Sequence, residues 1–184
     1  MLRSLLALAV CSVAAVAVSA AELGSPPGTP DNTRIPEAPE WKEVDAPPPP
    51  ALRTSGLIPI DVEGSSLRFG VDPASVTVGS DGVVRYVVVA TSSQGAVNGI
   101  YEGIKCDGGL VKVYARYNPG SGWAATKDYD WRDLRAGSAA TRHSFVIARA
   151  GACSNNSANG SAANIVQDLR SPVDRKFWGG GVNR

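Results

Sequence analysis

The sequence predicts an α+β domain, in which a five- to six-stranded antiparallel meander carries one or two C-terminal helices on one face and one disulfide ties the layers. Three observations predict it. First, Val83–Val89 holds five valines and a tyrosine between turn residues, with Arg85 its only charge, a composition that fits a pleated strand. Both alternation sets are mainly apolar, and a strand apolar on both faces is central and covered on both sides. Second, alternating segments before and after it are separated by Gly- and Pro-containing turns, and beyond Ser138 the apolar spacing becomes helical. Third, two cysteines remain once an N-terminal leader is set aside, and two can pair in only one way within the chain.

In chain order, Met1–Ala20 carries one charge, Arg3, followed by an apolar run and Val18-Ser19-Ala20. That pattern is a secretory signal peptide, with an apolar core too short to span a membrane. Removing Arg3 from the 18 basic residues leaves 17 against 17 acidic ones. A neutral mature chain lacks the basic excess that nucleic acid demands. The expected address is the periplasm, with no membrane insertion after leader removal. Lipid attachment at Cys11 and exposure at the cell surface are the competing readings.

Residues 21–56 read as a proline-rich linker. Nine of the 13 prolines fall between Gly24 and Pro50, ending in four in a row. Proline fixes φ and has no N–H, so the segment favours polyproline II and cannot enter a sheet interior. It reads first as a poorly ordered exported N-terminus, and its functional reading is a spacer or a ligand for an aromatic groove. Trp41 interrupts the pattern, and a tryptophan there is expected to dock on its own domain.

The domain is expected over residues 57–170, with an extended or disordered tail at 171–184. Leu57–Val62 contains Pro59 and suits an edge strand. Leu67–Val71 alternates as a half-buried strand. Asp72-Pro73-Ala74-Ser75 is a turn, and Gly79–Gly82 a hairpin loop leading into the central strand. The next strand, Val97–Cys106, sets Val97, Gly99, Tyr101, Gly103 and Lys105 on one face and Asn98, Ile100, Glu102, Ile104 and Cys106 on the other. Leu110–Tyr117 follows, with Val111, Val113 and Ala115 on one side and Lys112, Tyr114 and Arg116 on the other. Trp123–Ala125 starts a last strand. A helix is expected from Ala139 to Arg149, with Ser138 as its N-cap and Gly151 ending it. A second runs over Ala162–Leu169, capped by Ser161.

In an oxidising compartment Cys106 and Cys153 are expected to pair. Glu102 then points into the covered side, where an ionised carboxylate needs a partner. Arg132, Arg135 and Arg142 are the candidates. Glu102 is also a candidate acid or base, and so is His143, the one histidine. Trp123, Trp131 and Arg132, with Glu102, are candidate binding residues, because a flat aromatic can stack on a sugar. A single histidine does not make the usual metal site. No nucleophile elbow, Ser-x-x-Lys or phosphate-cradling glycine pattern is present, so neither metal nor cofactor is expected. The reading that follows is a non-enzymatic binding or structural module whose partner is an envelope protein or a glycan. A hydrolase acting on the envelope through Glu102 and a surface adhesin are the alternatives.

The runs Phe69-Gly-Val-Asp-Pro-Ala-Ser-Val, Asp81-Gly-Val-Val-Arg-Tyr and Tyr101-Glu-Gly-Ile-Lys-Cys106, followed by Trp123, Trp131 and Cys153, resemble the CNP-one-like family of small exported bacterial proteins. Trp41-Lys42-Glu43 resembles the family's N-terminal edge, so the likeness covers roughly Trp41–Arg170. It implies a fold and an exported address but no activity. The chain departs from the family pattern around Cys153, where Gly151-Ala152-Cys153 and a Ser/Asn-rich loop replace a more aromatic approach. A fainter likeness is to surface-adhesin protein E, which implies an antiparallel sheet braced by a disulfide-tied helix.

Overall fold

A computed structural model describes residues 40–127, 130–135 and 137–171. The expected signal peptide, Cys11, residues 21–39 of the expected linker and the tail beyond Ser171 lie outside the described residues.

The long ribbon Val83–Thr91 (β4) is central, as its composition requires. Its first eight residues are all buried. Ile58–Ile60 (β1), Arg68–Val71 (β2), β4, Val97–Lys105 (β5), Leu110–Asn118 (β6) and Gly122–Ala125 (β7) are hydrogen-bonded neighbours in that order, all antiparallel. Two two-residue strands complete an eight-stranded sheet. Thr77–Val78 (β3) pairs with the start of β4, on the edge whose far end β2 occupies. Arg132–Asp133 (β8) pairs with the start of β6, whose far end holds β7. The count thus exceeds the expected five or six because each edge is divided. Asp72 and Ser75 make one division. The Asp72 carboxylate accepts from Ala74 N at 3.0 Å, and the Ser75 hydroxyl accepts from Val87 N at 2.8 Å. Pro59 sits in the outermost strand β1, where its missing N–H costs no ladder bond.

Helices cover one face. Arg142–Ile147 (α1) continues into a wider turn, Ala148–Ala152, before Cys153–Ser154 (β9), which pairs with Ser157–Ala158 (β10). The expected helix from Ala139 is corrected: only six residues are α-helical, and Thr141 precedes them. Ser138 contributes its carbonyl, not its side chain, by accepting from Thr141 N and Arg142 N. The second helix, Ala162–Arg170 (α2), is as expected, with the Ser161 hydroxyl accepting from Asn164 N. Ile147, Ala148, Ile165 and Leu169 pack on Val84, Val88, Ile100 and Ile104. Cys106 and Cys153 form a disulfide with Cα atoms 5.7 Å apart. It closes a separation of 47 residues, for which chain entropy gives about 4 kcal/mol.

The other face is covered by residues 40–56, the described part of the proline-rich stretch. Glu43, Ala46, Pro49 and Leu52 are half-buried and the residues between them exposed. A burial period of three is the repeat of polyproline II, so one edge of the segment lies along the sheet. Ala46, Leu52 and Leu57 pack against Val87, Val89, Tyr101 and Ala115. Gly99 of β5 makes this fit: a Cβ there would lie 2.6 Å from a Leu52 methyl carbon. The strap is held by polar ties at one end. Asp81 and Arg85 form a shielded ion pair at 2.7 Å, Arg85 donates to Val44 O, Asp81 accepts from Val44 N, and the Trp41 indole donates to Asp81 O. Among the described residues no helix is long and apolar enough to cross a membrane.

Candidate functional site

The register of the central strands fixes which residues meet on the helix-covered face. Phe69, Ala90 and Asn98 form one row, Val88, Ile100 and Arg116 the next, and Tyr86, Glu102 and Val113 the third. Helix α1 lies over the third row. The result is a cluster of three polar side chains around one carboxylate. Glu102 Oε1 accepts from the Tyr86 hydroxyl at 2.5 Å and from the Ser144 hydroxyl at 2.8 Å. Glu102 Oε2 lies 3.2 Å from His143 Nε2. Glu102 is 1 % exposed and His143 7 %. The imidazole also stacks on Phe69, with ring centroids 5.1 Å apart and planes 3° from parallel.

Burial pushes the Glu102 carboxyl up, but the His143 imidazolium and the three donors outweigh it and hold the group below the usual carboxylate value. Burial likewise pushes His143 down. The Glu102 charge outweighs that too and holds the imidazole above its ordinary value, with Arg116 opposing. Tyr86 is pushed far up by burial and by the neighbouring carboxylate, so its hydroxyl remains a donor. The two shifts agree in direction, each group favouring the charged form of the other. None of the three arginines expected to neutralise Glu102 does so. Arg142 donates to Glu63 O, Arg135 binds Asp133, and Arg132 is exposed on β8. The correction has a geometric cause, since α1 starts at Arg142, three residues after the expected Ala139, and brings His143 and Ser144 over the sheet.

Above this cluster opens a pocket of about 570 Å³, within the range of small-molecule sites. Leu67, Phe69, Ile100, Val111 and Val113 give it an apolar lining, and Arg116, Lys127, Asp130 and Arg132 are charged members of its wall. Arg116 arrives there through a β-bulge. Tyr101 pairs with Ala115 but Glu102 with Val113, so Tyr114 is the extra residue. The bulge is stabilised by Thr126, which donates to Val113 O from its hydroxyl at 2.6 Å and to Tyr114 O from its amide at 3.0 Å. Strict alternation puts Ala115 with Val111 and Arg116 with Lys112. The inserted residue reverses both, sending Ala115 to the strap face and Arg116 to the pocket.

The structure therefore brings Glu102, His143 and Arg132 to one pocket and leaves the tryptophans elsewhere. The Trp123 indole donates to Pro50 O at 2.8 Å, and that of Trp131 to Glu43 at 3.1 Å. Both hold the strap on the opposite face. Tyr86, Ser144 and Arg116 were missing from the sequence-derived set. Among the described residues no group of three or more His, Cys, Asp and Glu side chains is placed to hold a metal.

A family model, the CNP1-like family, matches residues 36–170. The chain belongs to the CNP1-like family. The matched span includes the strap as well as both faces of the sheet, and within it fall the Glu102 cluster, the bulge and the disulfide. No curated protein matches the chain, and no solved structure does.

Proposed function

We propose that this CNP1-like chain is an exported, envelope-associated binding module, without catalytic activity, whose ligand enters the pocket above Glu102. The observation that carries the reading is the saturation of that carboxylate. Both of its oxygens are engaged by protein groups, Oε1 by Tyr86 and Ser144 and Oε2 by His143. A carboxylate committed in this way shapes a pocket floor and holds α1 on the sheet.

A hydrolase reading draws on the proximity of Glu102, His143 and Ser144. Nucleophilic catalysis needs the hydroxyl bonded to the base and the base oriented by a third group. Here Ser144 donates to Glu102 and not to His143, and that carboxylate is already shared with Tyr86 and paired with His143, which leaves the serine only a fully committed base. That arrangement favours the binding reading.

The pocket is tested by Ala140→Trp, which places an indole at its wall. The mature protein is incubated with a small-molecule extract of the cell envelope and examined by native mass spectrometry. The expected result is a retained adduct in the parent chain that Ala140→Trp loses and the strap-face variant Glu43→Gln keeps. Adducts equal in the parent and Ala140→Trp would contradict the proposal.

A further inference from the structure

We infer that the pocket selects an amphipathic anion: an acyl or aryl chain lying over Leu67, Phe69, Ile100 and Val113, with a carboxylate or phosphate turned to Arg116 and Lys127. The inference rests on the binding-module reading and gives its ligand a chemical class.

Three features lead to it. The first is the closure of the pocket floor. Glu102 is 1 % exposed and spends both oxygens on Tyr86, Ser144 and His143, so the charges that face a ligand are the other charged wall residues. Among the described residues these are Arg116 and Lys127 against Asp130, an excess of one positive charge, with Arg132 engaged by another group. That excess is local, since the expected mature chain is neutral. Cations on a low-dielectric wall concentrate anions.

The second is the way Arg116 gets there. A regular β6 would place this arginine on the strap face. The extra residue at Tyr114, held by the two Thr126 hydrogen bonds, turns it into the pocket. Bulges are retained where they re-aim a side chain, and the one re-aimed here is a cation. The third is the apolar lining, which continues to Leu67 at the mouth, a large hydrophobic residue 36 % exposed. Apolar walls ending in cations match a ligand with one long apolar part and one acidic end.

Isothermal titration of the mature protein at low salt tests this with four probes of one chain length, each below its micellar concentration: dodecanoate, monododecyl phosphate, dodecanol and dodecyltrimethylammonium. The expected result is binding of at least one anion tenfold or more tighter than the alcohol or the cation. The carboxylate and phosphate arms identify the acidic group. Arg116→Glu should weaken the preferred anion at least tenfold and leave dodecanol unchanged, while Ala140→Trp abolishes both. Thermal melting and an intact Cys106–Cys153 bond establish that each variant is folded. Equal affinity for anion and cation, or no effect of Arg116→Glu while Ala140→Trp abolishes binding, would overturn the ligand class and leave the pocket standing. No binding of any probe would also overturn the class. Anion binding that Ala140→Trp leaves intact would overturn the pocket itself as the site.

Discussion

The two faces of the sheet hold their carboxylates in opposite ways. On the strap face, Asp81 meets a guanidinium and Glu43 meets Lys112, Tyr114 and Trp131. Both acids fasten one chain segment onto another. On the helix face, Glu102 meets a histidine and two hydroxyls, and open volume lies beside the cluster. Arginine keeps Asp81 paired through neutral and alkaline pH, because guanidinium does not deprotonate. Histidine leaves Glu102 with a partner that titrates within reach of neutrality. The comparison separates a permanent fastening from a floor under a pocket.

The largest effect should come from Glu102→Ala. It strands two hydroxyl donors and a buried imidazolium, and breaking a buried pair on one side costs about 3–5 kcal/mol. Denaturant titration measures it, and a cost below about 1 kcal/mol would remove Glu102 from its central place. Asp81→Ala should cost a similar or slightly smaller amount, about 3 kcal/mol, because Arg85 keeps Val44 O as an acceptor. The variants should part company in limited proteolysis. Asp81→Ala opens residues 40–56 to cleavage, whereas Glu102→Ala exposes α1 first. Identical cleavage patterns would erase the distinction between the faces. Glu43→Gln is the mildest: its tie to Lys112 is partly solvated, so about 1 kcal/mol or less is expected, read as a small shift in the denaturation midpoint.

These variants also mark how far the sequence could be read. Val83–Val89 announced a ribbon hidden on both sides, and the cysteine pair announced what tied the helices down, because composition alone carries both signals. Of the cover on the second face only the docking of Trp41 was legible. The strap's inward residues, Glu43, Ala46, Pro49 and Leu52, are spaced by three and chemically unlike, so neither a strand nor a helix period detects them. The bulge was hidden for a related reason: Lys112 to Arg116 alternates smoothly in sequence, and only pairing with β5 reveals the extra residue. The Glu102 partners were half accessible. The Ser92–Ala96 hairpin fixes the register that sets Tyr86 opposite Glu102, but His143 depends on a helix start that the sequence placed three residues too early.

The pH dependence of stability sharpens the comparison further. Glu102 is held below its ordinary 4.5, so its contribution is present above pH 4.5 and is lost as pH falls through the lowered folded value. His143 is held above its ordinary 6.5, so its contribution is complete below pH 6.5 and is lost as pH rises through the raised folded value. The pair therefore contributes fully between about pH 4.5 and 6.5. Asp81 and Arg85 add no loss on the alkaline side.

The most direct measurement uses the fact that His143 is the one histidine in the chain. Its imidazole is followed by NMR through a pH titration in the parent protein and in Glu102→Gln, which keeps an acceptor of similar shape without the charge. The account predicts a midpoint above 6.5 in the parent and a lower one in the variant, where burial acts without the carboxylate to oppose it. A histidine titrating near 6.5 in both proteins would mean that Glu102 and His143 do not form the ion pair on which the pocket floor is built.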